Sequence, residues 1–271
     1  MKTPKPLAPG APPSEITFTA IGTYRSDAKA PYEAARQPLD RETSLGEITL
    51  NSGQQFEQAL EDLGGFERIW LVYQFHHNAD WKPKVLPPRG SDKKVGVFAT
   101  RAPYRPNPIG LSCVKLVAVQ GIRLTVQGAD LLDGTPILDI KPYLPYADAF
   151  PNAATGWLGE PAPNTIALDE LAEEQLRYLE GQGLNTFRSF LQNQLEFDPL
   201  NSAKKRVSPQ GDTAVLAYKT WRARFVADET ARTVRVKEIF SGYSEEDLAK
   251  TEDRYQDKAL HRAFCATFAK V

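Results

Sequence analysis

With 271 residues, the chain can bury a core in each of two domains, because domains cluster at roughly 100 to 150 residues. Its 41% hydrophobic and 25% charged residues are ordinary for a globular protein. The net charge of −1 excludes a generally basic nucleic-acid binder, so a nucleic acid would have to meet a local patch. Cys113 and Cys265 lie far apart without C-x-x-C spacing, which points away from a disulfide framework or a zinc site and fits a reducing cytoplasm. No apolar run approaches the ~18 residues that a membrane span needs.

Residues 1–14 are rich in proline, carry Lys2 and Lys5 without the apolar core of a secretory signal, and read as a flexible lead-in. Residues 16–24 alternate Ile16, Phe18 and Ala20 against Thr17, Thr19 and Ile21, the period of a half-buried strand. A polar, proline-interrupted loop follows, in which Tyr32 and Arg36 favour a functional role. Residues 47–50 form a second short strand. Phe56, Ala59, Leu60 and Leu63 mark one helical face, stopped by Gly64 and Gly65. Residues 69–76, nearly all apolar, should make a central strand ending in His76 and His77. Neighbours on an extended chain point to opposite faces, so at most one of these imidazoles should face a given pocket, and no metal site is expected.

Residues 83–94 make a basic, proline-rich loop carrying Lys84, Arg89, Lys93 and Lys94. The run 95–99 reads as a short buried strand. Pro103, Pro106 and Pro108 then hold Ala102, Arg105 and Asn107 in extended conformations. Arg101 and Arg105 are thereby displayed at most roughly 14 Å apart, a spacing suited to phosphate or carboxylate partners. Gly110 is expected to allow a close turn before a strand over 112–119, which Gly121 joins to a strand over 122–126. Asp133-Gly134 signals a turn and 137–140 a further strand. The string Asp130-Leu131-Leu132-Asp133-Gly134-Thr135 lacks the first aspartate of the aspartyl-phosphate phosphatases, because Leu131 stands in its place.

The proline- and glycine-rich stretch 146–163 carries the domain boundary, which divides the chain into 15–160 and 161–271. Leu168, Leu171, Leu176 and Leu179 suggest one helix, and Phe187, Phe190, Leu191 and Leu195 a second. Trp221, Ala223 and Phe225 alternate with Arg222 and Arg224, as Val234 and Val236 alternate with Arg235 and Lys237. Two strands joined near Asp228 would bury one face and present four cations on the other. Ser244 with Asp247 has capping-box spacing, and Leu260, Phe264 and Phe268 give a last amphipathic helix.

Arg36-Gln37-Pro38, residues 65–76, the string G-V-F-A-T-R-A-P-Y-R-P-N-P-I-G-L-S at 96–112 and D-L-L-D-G-T-P-I-L-D-I-K-P-Y-L-P at 130–145 together resemble the TrmO, or TsaA-like, family. The resemblance is strong over 16–148 and continues more weakly over 198–226. It implies a mainly β protein, a mixed β-barrel followed by a smaller α+β domain that binds tRNA. It also implies an S-adenosylmethionine-dependent tRNA methyltransferase, a homodimer, acting on N6 of the threonylcarbamoyl-modified adenosine 3′ of the anticodon. The absence of a G-x-G-x-x-G after any strand agrees with a cofactor site of a different kind.

Carried onto this sequence, the cofactor-lining segments are Gln37, Pro38 and Leu39, then Phe75, His76 and His77, then Arg105, and last Asp130, Leu131, Leu132 and Asp133. Family members often read Q-P-G where this chain has Gln37-Pro38-Leu39, so a third contact there would come from the backbone. Asp130 or Asp133 could accept from a ribose hydroxyl or the methionine ammonium, and Arg105 could pair the methionine carboxylate or a tRNA phosphate. Arg89, Lys93, Lys94, Arg101, Asn107, Arg222 and Arg224 are the candidate tRNA contacts. Asp133, His76 and Tyr143 are the candidate bases, and the sequence does not choose among them. A non-catalytic RNA-binding barrel would use the same basic loops without the cofactor. A hydrolase would instead draw on Asp130, Asp133 and Asp139.

Overall fold

The computed structural model describes residues 15–34, 45–88, 90–159, 162–203 and 205–268. The expected lead-in 1–14 lies outside them. In chain order come β1 (Gly22–Arg25), β2 (Leu45–Leu50) and β3 (Arg68–Gln74), then β4 (Lys84–Val85) and β5 (Val95–Gly96), paired as a small ribbon. After them β6 (Ile109–Gln120), β7 (Arg123–Gln127) and β8 (Pro136–Pro142) complete a closed barrel in the order β1-β2-β7-β6-β3-β8.

Alternation decides what fills this barrel. Ile69, Leu71 and Tyr73 of β3 face inward with Ile48, Val114, Leu124, Val126 and Ile137, all buried. Each such aliphatic side chain contributes about 1.5–3 kcal/mol when removed from water. Every barrel ladder is antiparallel. The parallel component of the expected mixed architecture lies instead in the second domain, between β9 (Thr165–Leu168) and β13 (Thr233–Ser241). There β10 (Val207–Gln210), β11 (Thr213–Tyr218) and β12 (Trp221–Asp228) complete a sheet of order β10-β11-β12-β13-β9. The helices Glu170–Gly181, Phe187–Leu195 and Lys258–Thr267 supply Leu176, Leu179, Phe187, Leu191 and Phe264 to its core. Ser244 caps the short helix Glu245–Ala249 by accepting from the Asp247 amide. His261 is fully buried, stacked 3.7 Å from Trp221 and bonded to Ser241 and Thr220, and burial lowers its pKa to about 4.

Several elements depart from the sequence pattern for local reasons. The first strand begins only at Gly22, and Ile16 and Phe18 are exposed. The run 95–99 splits after two strand residues into a 3-10 turn, Val97–Ala99, which buries Val97 and turns Phe98 outward with 75% of its surface exposed. The helix expected over 56–63 stops at Ala59, followed by a separate 3-10 turn, Leu63–Gly65. Leu168 ends β9 rather than opening a helix, and Leu171 is exposed.

Gly110 is not at a turn. It lies inside β6 opposite Tyr73, whose ring passes over it so closely that a Cβ would come within 2.3 Å of the ring carbons. Gly46 seats Tyr24 in the same way, since a Cβ there would run into the Tyr24 ring and hydroxyl. These two glycines make room for two inward tyrosines at one end of the barrel. Gly110→Ala should therefore overpack the barrel by about 1–3 kcal/mol. Thermal unfolding should record a lowered midpoint, whereas Gly53→Ala, in open space, should produce only the strain of its left-handed backbone.

Candidate functional site at the barrel rim

Strand pairing gathers three connections at one end. Arg25 pairs with Glu47, Leu45 with Gln127, Gln74 with Ile109, and Tyr73 with Ile137. Three loops therefore leave the same rim: β1 to β2, β3 to β6, and β7 to β8. They carry the candidate cofactor segments, because antiparallel closure places the ends of β1, β3 and β7 beside the beginnings of β2, β6 and β8.

The β7–β8 loop is the acidic bend. Leu131 is 2% exposed and belongs to the barrel core, so only its backbone can face a ligand, while Leu132 is half-buried. Asp133 is tied to the β1–β2 loop: its amide donates to the Ala28 carbonyl at 2.8 Å, and its Oδ1 accepts from the Ser26 amide at 3.2 Å. The Arg25 guanidinium lies 3.6 Å from its Oδ2, a pair that solvent weakens because Arg25 is largely exposed. Asp130 instead accepts from the hydroxyl of Ser112, which is fully buried and lies 3.2 Å from the Tyr73 hydroxyl. Burial pushes the Asp130 carboxyl up to about 6, against the opposing effects of Ser112 and the positive charge of Arg101. The same burial raises Tyr24 to about 12 and drives Tyr73 higher still, so both phenols stay protonated.

The β3–β6 loop begins with the histidines. They sit in a turn, with the Asn78 amide bonded to the Phe75 carbonyl, so strand alternation no longer applies to them. Their rings lie side by side, centroids 4.0 Å apart, which corrects the expectation of opposite faces. Burial, and then the neighbouring His77, lower the pKa of His76 and favour its neutral form. The Thr135 hydroxyl donates its one proton to the Leu132 carbonyl at 2.7 Å and so can only accept from His76 Nδ1, 3.4 Å away. Nε2 is the ring nitrogen nearer Gly134. Phe75 completes this corner, edge-on to Tyr73 at 5.3 Å and bonded through its amide to the Pro108 carbonyl.

Arg105 does not reach out from its loop. Its guanidinium donates to the carbonyls of Val97 at 3.2 Å and Thr100 at 2.8 Å and lies over the Phe98 ring at 5.7 Å. It braces the proline-rich segment from within. Arg101, Lys93, Lys94 and Asn107 are exposed on the same connection, and Lys82 stands over the Tyr104 ring at 4.5 Å. Gln37, Pro38, Leu39 and Arg89 lie outside the described residues. Tyr143 is at the opposite end of the barrel, its ring 5.9 Å from Trp70, so it is not brought together with His76 and Asp133. Arg222 and Arg224 lie in the second domain. Arg222 donates to the Trp221 carbonyl, and Arg224 is bound to Glu238 and Gln210, each at 2.8 Å. Asp169 takes up Lys237 at 3.0 Å and Arg235 at 3.6 Å. The face expected to present four cations is therefore largely neutralised within its own domain.

Sequence reasoning missed Tyr73, Ser112, Thr135 and Arg25. A signal existed for Ser112, since a serine at an inward position between Gly110 and Val114 is a polar group in a barrel interior and needs a partner. Arg25 carried none, because its partner is fixed only by tertiary pairing. Together the rim offers two carboxylates, an aromatic ring and a neutral imidazole, a donor set suited to an organic cation. Among the described residues, no group of three or more His, Cys, Asp or Glu could hold a metal ion.

Residues 23–149 match the model of the tRNA-methyltransferase O N-terminal domain, which spans all three rim loops. The tRNA (adenine(37)-N6)-methyltransferase of Escherichia coli (strain K12) is 34% identical over 217 residues, covering 77% of this chain and 90% of that protein. The chain belongs to the TrmO family. A relative from Eikenella corrodens bearing the same enzyme name is 51% identical over 119 residues, 41% of this chain and 68% of its own length. The crystal structure of TrmO from Pseudomonas aeruginosa superposes with a TM-score of 0.59 at 30% identity, covering 83% of this chain and 98% of that one. Within this TrmO fold, the internal brace by Arg105 has a measurable consequence. Arg105→Ala should loosen residues 97–105 and speed amide exchange there, because the one terminal nitrogen that donates to both carbonyls is lost. Unchanged exchange in Arg105→Ala would remove the bracing role.

Proposed function

We propose that this protein transfers a methyl group from S-adenosylmethionine to N6 of the threonylcarbamoyl-modified adenosine 3′ of the anticodon. The observation that carries this reading is the convergence, at one rim, of a half-buried carboxyl pushed up to about 6, a neutral histidine and the chain's densest basic loop. Relatives support it: the Escherichia coli protein is named for methylating tRNA, and one from Pseudomonas aeruginosa, 41% identical over 171 residues, carries the name "Putative S-adenosylmethionine-dependent methyltransferase RcsF". A tRNA substrate puts the reaction in the cytoplasm, and among the described residues no helix is long and apolar enough to cross a membrane.

When bound, S-adenosylmethionine supplies an electrophilic methyl group carried on a positive sulfur. Asp130 and Asp133 offer the negative charge that such a cofactor needs, at its sulfonium or its ammonium, and Phe75 offers an apolar face. His76 takes the proton from the weakly nucleophilic N6 through a ring nitrogen, a role that Asp133 is less able to fill with its oxygens already engaged by Ser26 and Arg25. Arg101, Lys93 and Lys94 meet tRNA phosphates, with Arg89 and Asn107 nearby in sequence, and Arg222 and Arg224 add at most a secondary contact because their charges are already engaged. Gln37, Pro38 and Leu39 belong to the cofactor site through the family resemblance alone.

Two copies of the chain associate through the outer barrel face, where Leu111 and Val117 on β6 and the nearby Tyr146 and Phe150 are exposed. A monomer in sedimentation would end that part of the reading. The activity itself is tested by incubating the protein with S-adenosylmethionine and tRNA from a strain lacking it, then analysing nucleosides. A methylated threonylcarbamoyladenosine is expected, and its absence sinks the proposal. His76→Asn should lower kcat by about 10²–10⁴-fold.

Cofactor affinity should also follow the Asp130 titration. Its folded pKa is raised, so the carboxyl is protonated below about pH 6 and gains its charge as pH rises. Calorimetry should show affinity for the cationic cofactor about tenfold weaker at pH 5 than at neutral pH, one pKa unit being a factor of ten. In Asp130→Asn this dependence should vanish. A flat profile in the unaltered protein removes Asp130 from cation recognition.

A further inference from the structure

A carboxylate is buried where the barrel loop meets the second domain. Glu33, in the irregular segment after β1, is 5% exposed. Its Oε2 accepts the amides of Lys29 and Ala30, each at 3.0 Å, which curls its own loop around it. Its Oε1 faces the other domain and accepts the Tyr218 hydroxyl at 3.2 Å and the Lys219 ammonium at 2.6 Å. Both oxygens are thus saturated, which is what keeps a buried charge tolerable. Burial alone would raise the carboxyl, but Lys219 and the loop amides outweigh it and hold Glu33 below the usual range, so it is ionised.

The domain side is built to meet it. Tyr218 and Trp221 pair directly, leaving Lys219 and Thr220 as a two-residue hairpin turn in which Lys219 has φ +51°. Glycine or asparagine adopts that backbone more cheaply, so the ammonium rather than the turn accounts for a lysine there. Tyr218 is held between Phe187 and Phe190, ring centroids 4.6 and 4.4 Å away, and its hydroxyl also meets Thr186. From the barrel, Tyr32 sets its ring edge against Phe190 and Tyr218 at 6.2 and 6.4 Å. The clamped loop continues to the acidic bend, since Ala28 and Ser26 are the residues that bind Asp133.

We infer that Lys219 and Glu33 are positioning residues: the second domain grips the segment 25–34 through this ion pair and thereby fixes Asp133 at the rim. The consequence for S-adenosylmethionine rests on the function proposed above, whereas the grip itself does not. Neither residue touches the acidic bend, so their effect passes through the backbone between them and Ala28. Lys219→Met keeps the aliphatic stem and removes the charge, leaving a buried carboxylate unpaired that the loop can relieve only by moving into water or taking up a proton.

Two readouts on the full chain test this, amide exchange at Asp133 in the protein alone and cofactor affinity by calorimetry. In Lys219→Met the Asp133 amide should exchange about tenfold faster and affinity should fall by about tenfold, within the range of coupling between linked sites. Lys219→Arg should keep both near their original values, which a merely bulky or structural role would not require. Should Lys219→Met fail to fold, Tyr218→Phe, which removes only one hydroxyl, should shift both readouts in the same direction by less. Unchanged exchange at Asp133 in a folded Lys219→Met protein overturns the inference, as does a lowered melting temperature with exchange and affinity intact. Faster exchange in Lys219→Met, from a parent protein that binds no S-adenosylmethionine, upholds the grip and overturns the cofactor reading instead.

Discussion

Antiparallel closure of six strands is the constraint from which the site follows. In such a barrel each chain reversal must return at one of two ends, so connection lengths decide where chemistry can collect. Here one end receives the tight Gly121 turn between β6 and β7 and the β2–β3 connection, and the other receives the β1–β2, β3–β6 and β7–β8 connections. Those three connections carry the acidic bend, the histidine turn and the basic proline-rich loop. The scaffold brings residues more than a hundred positions apart, such as Ser26 and Asp133, into hydrogen-bonding distance.

Electrostatics then separates residues that composition treats alike. The chain is nearly neutral, yet its cations divide into two populations. In the second domain Arg224, Arg235, Lys237 and Arg188 are matched by Glu238, Asp169, Glu173 and Glu180, with Arg188 held by both of the last two. Those of the β3–β6 connection are exposed beside a rim whose carboxylates are partly withdrawn from water. A polyanion approaching this protein meets exposed lysines and Arg101 at the rim, where local fields steer more than net charge does.

Much of the barrel was legible because its strands obey the simplest rule, alternation. Ile69, Leu71 and Tyr73, and again Leu124 and Val126, announce their inward face. The rule fails where neighbouring apolar residues serve different purposes, as at Val97 and Phe98, one buried and the other thrown outward. It fails again at His76 and His77, where the strand has already ended. Gly110 looked like a turn because turns are the usual reason for glycine. The ring of Tyr73 is a reason that only the folded partner strand can supply. The pairing of the second domain's arginines, and the burial of Glu33 against a lysine 186 positions later, have no local signature at all. The family's motif strings pointed to the rim segments. They did not disclose that Arg105 turns inward on its own loop.

The two inward tyrosines have an implication for how ligands can arrive. With Tyr24 and Tyr73 lying over Gly46 and Gly110, two buried rings occupy the cylinder beneath the loops. Whatever docks must rest on top of this stopper, with one flank against protein and the other facing outward. A shallow seat of that kind admits a nucleotide still attached to a folded macromolecule. A deep tunnel would demand that the nucleotide first be cut free.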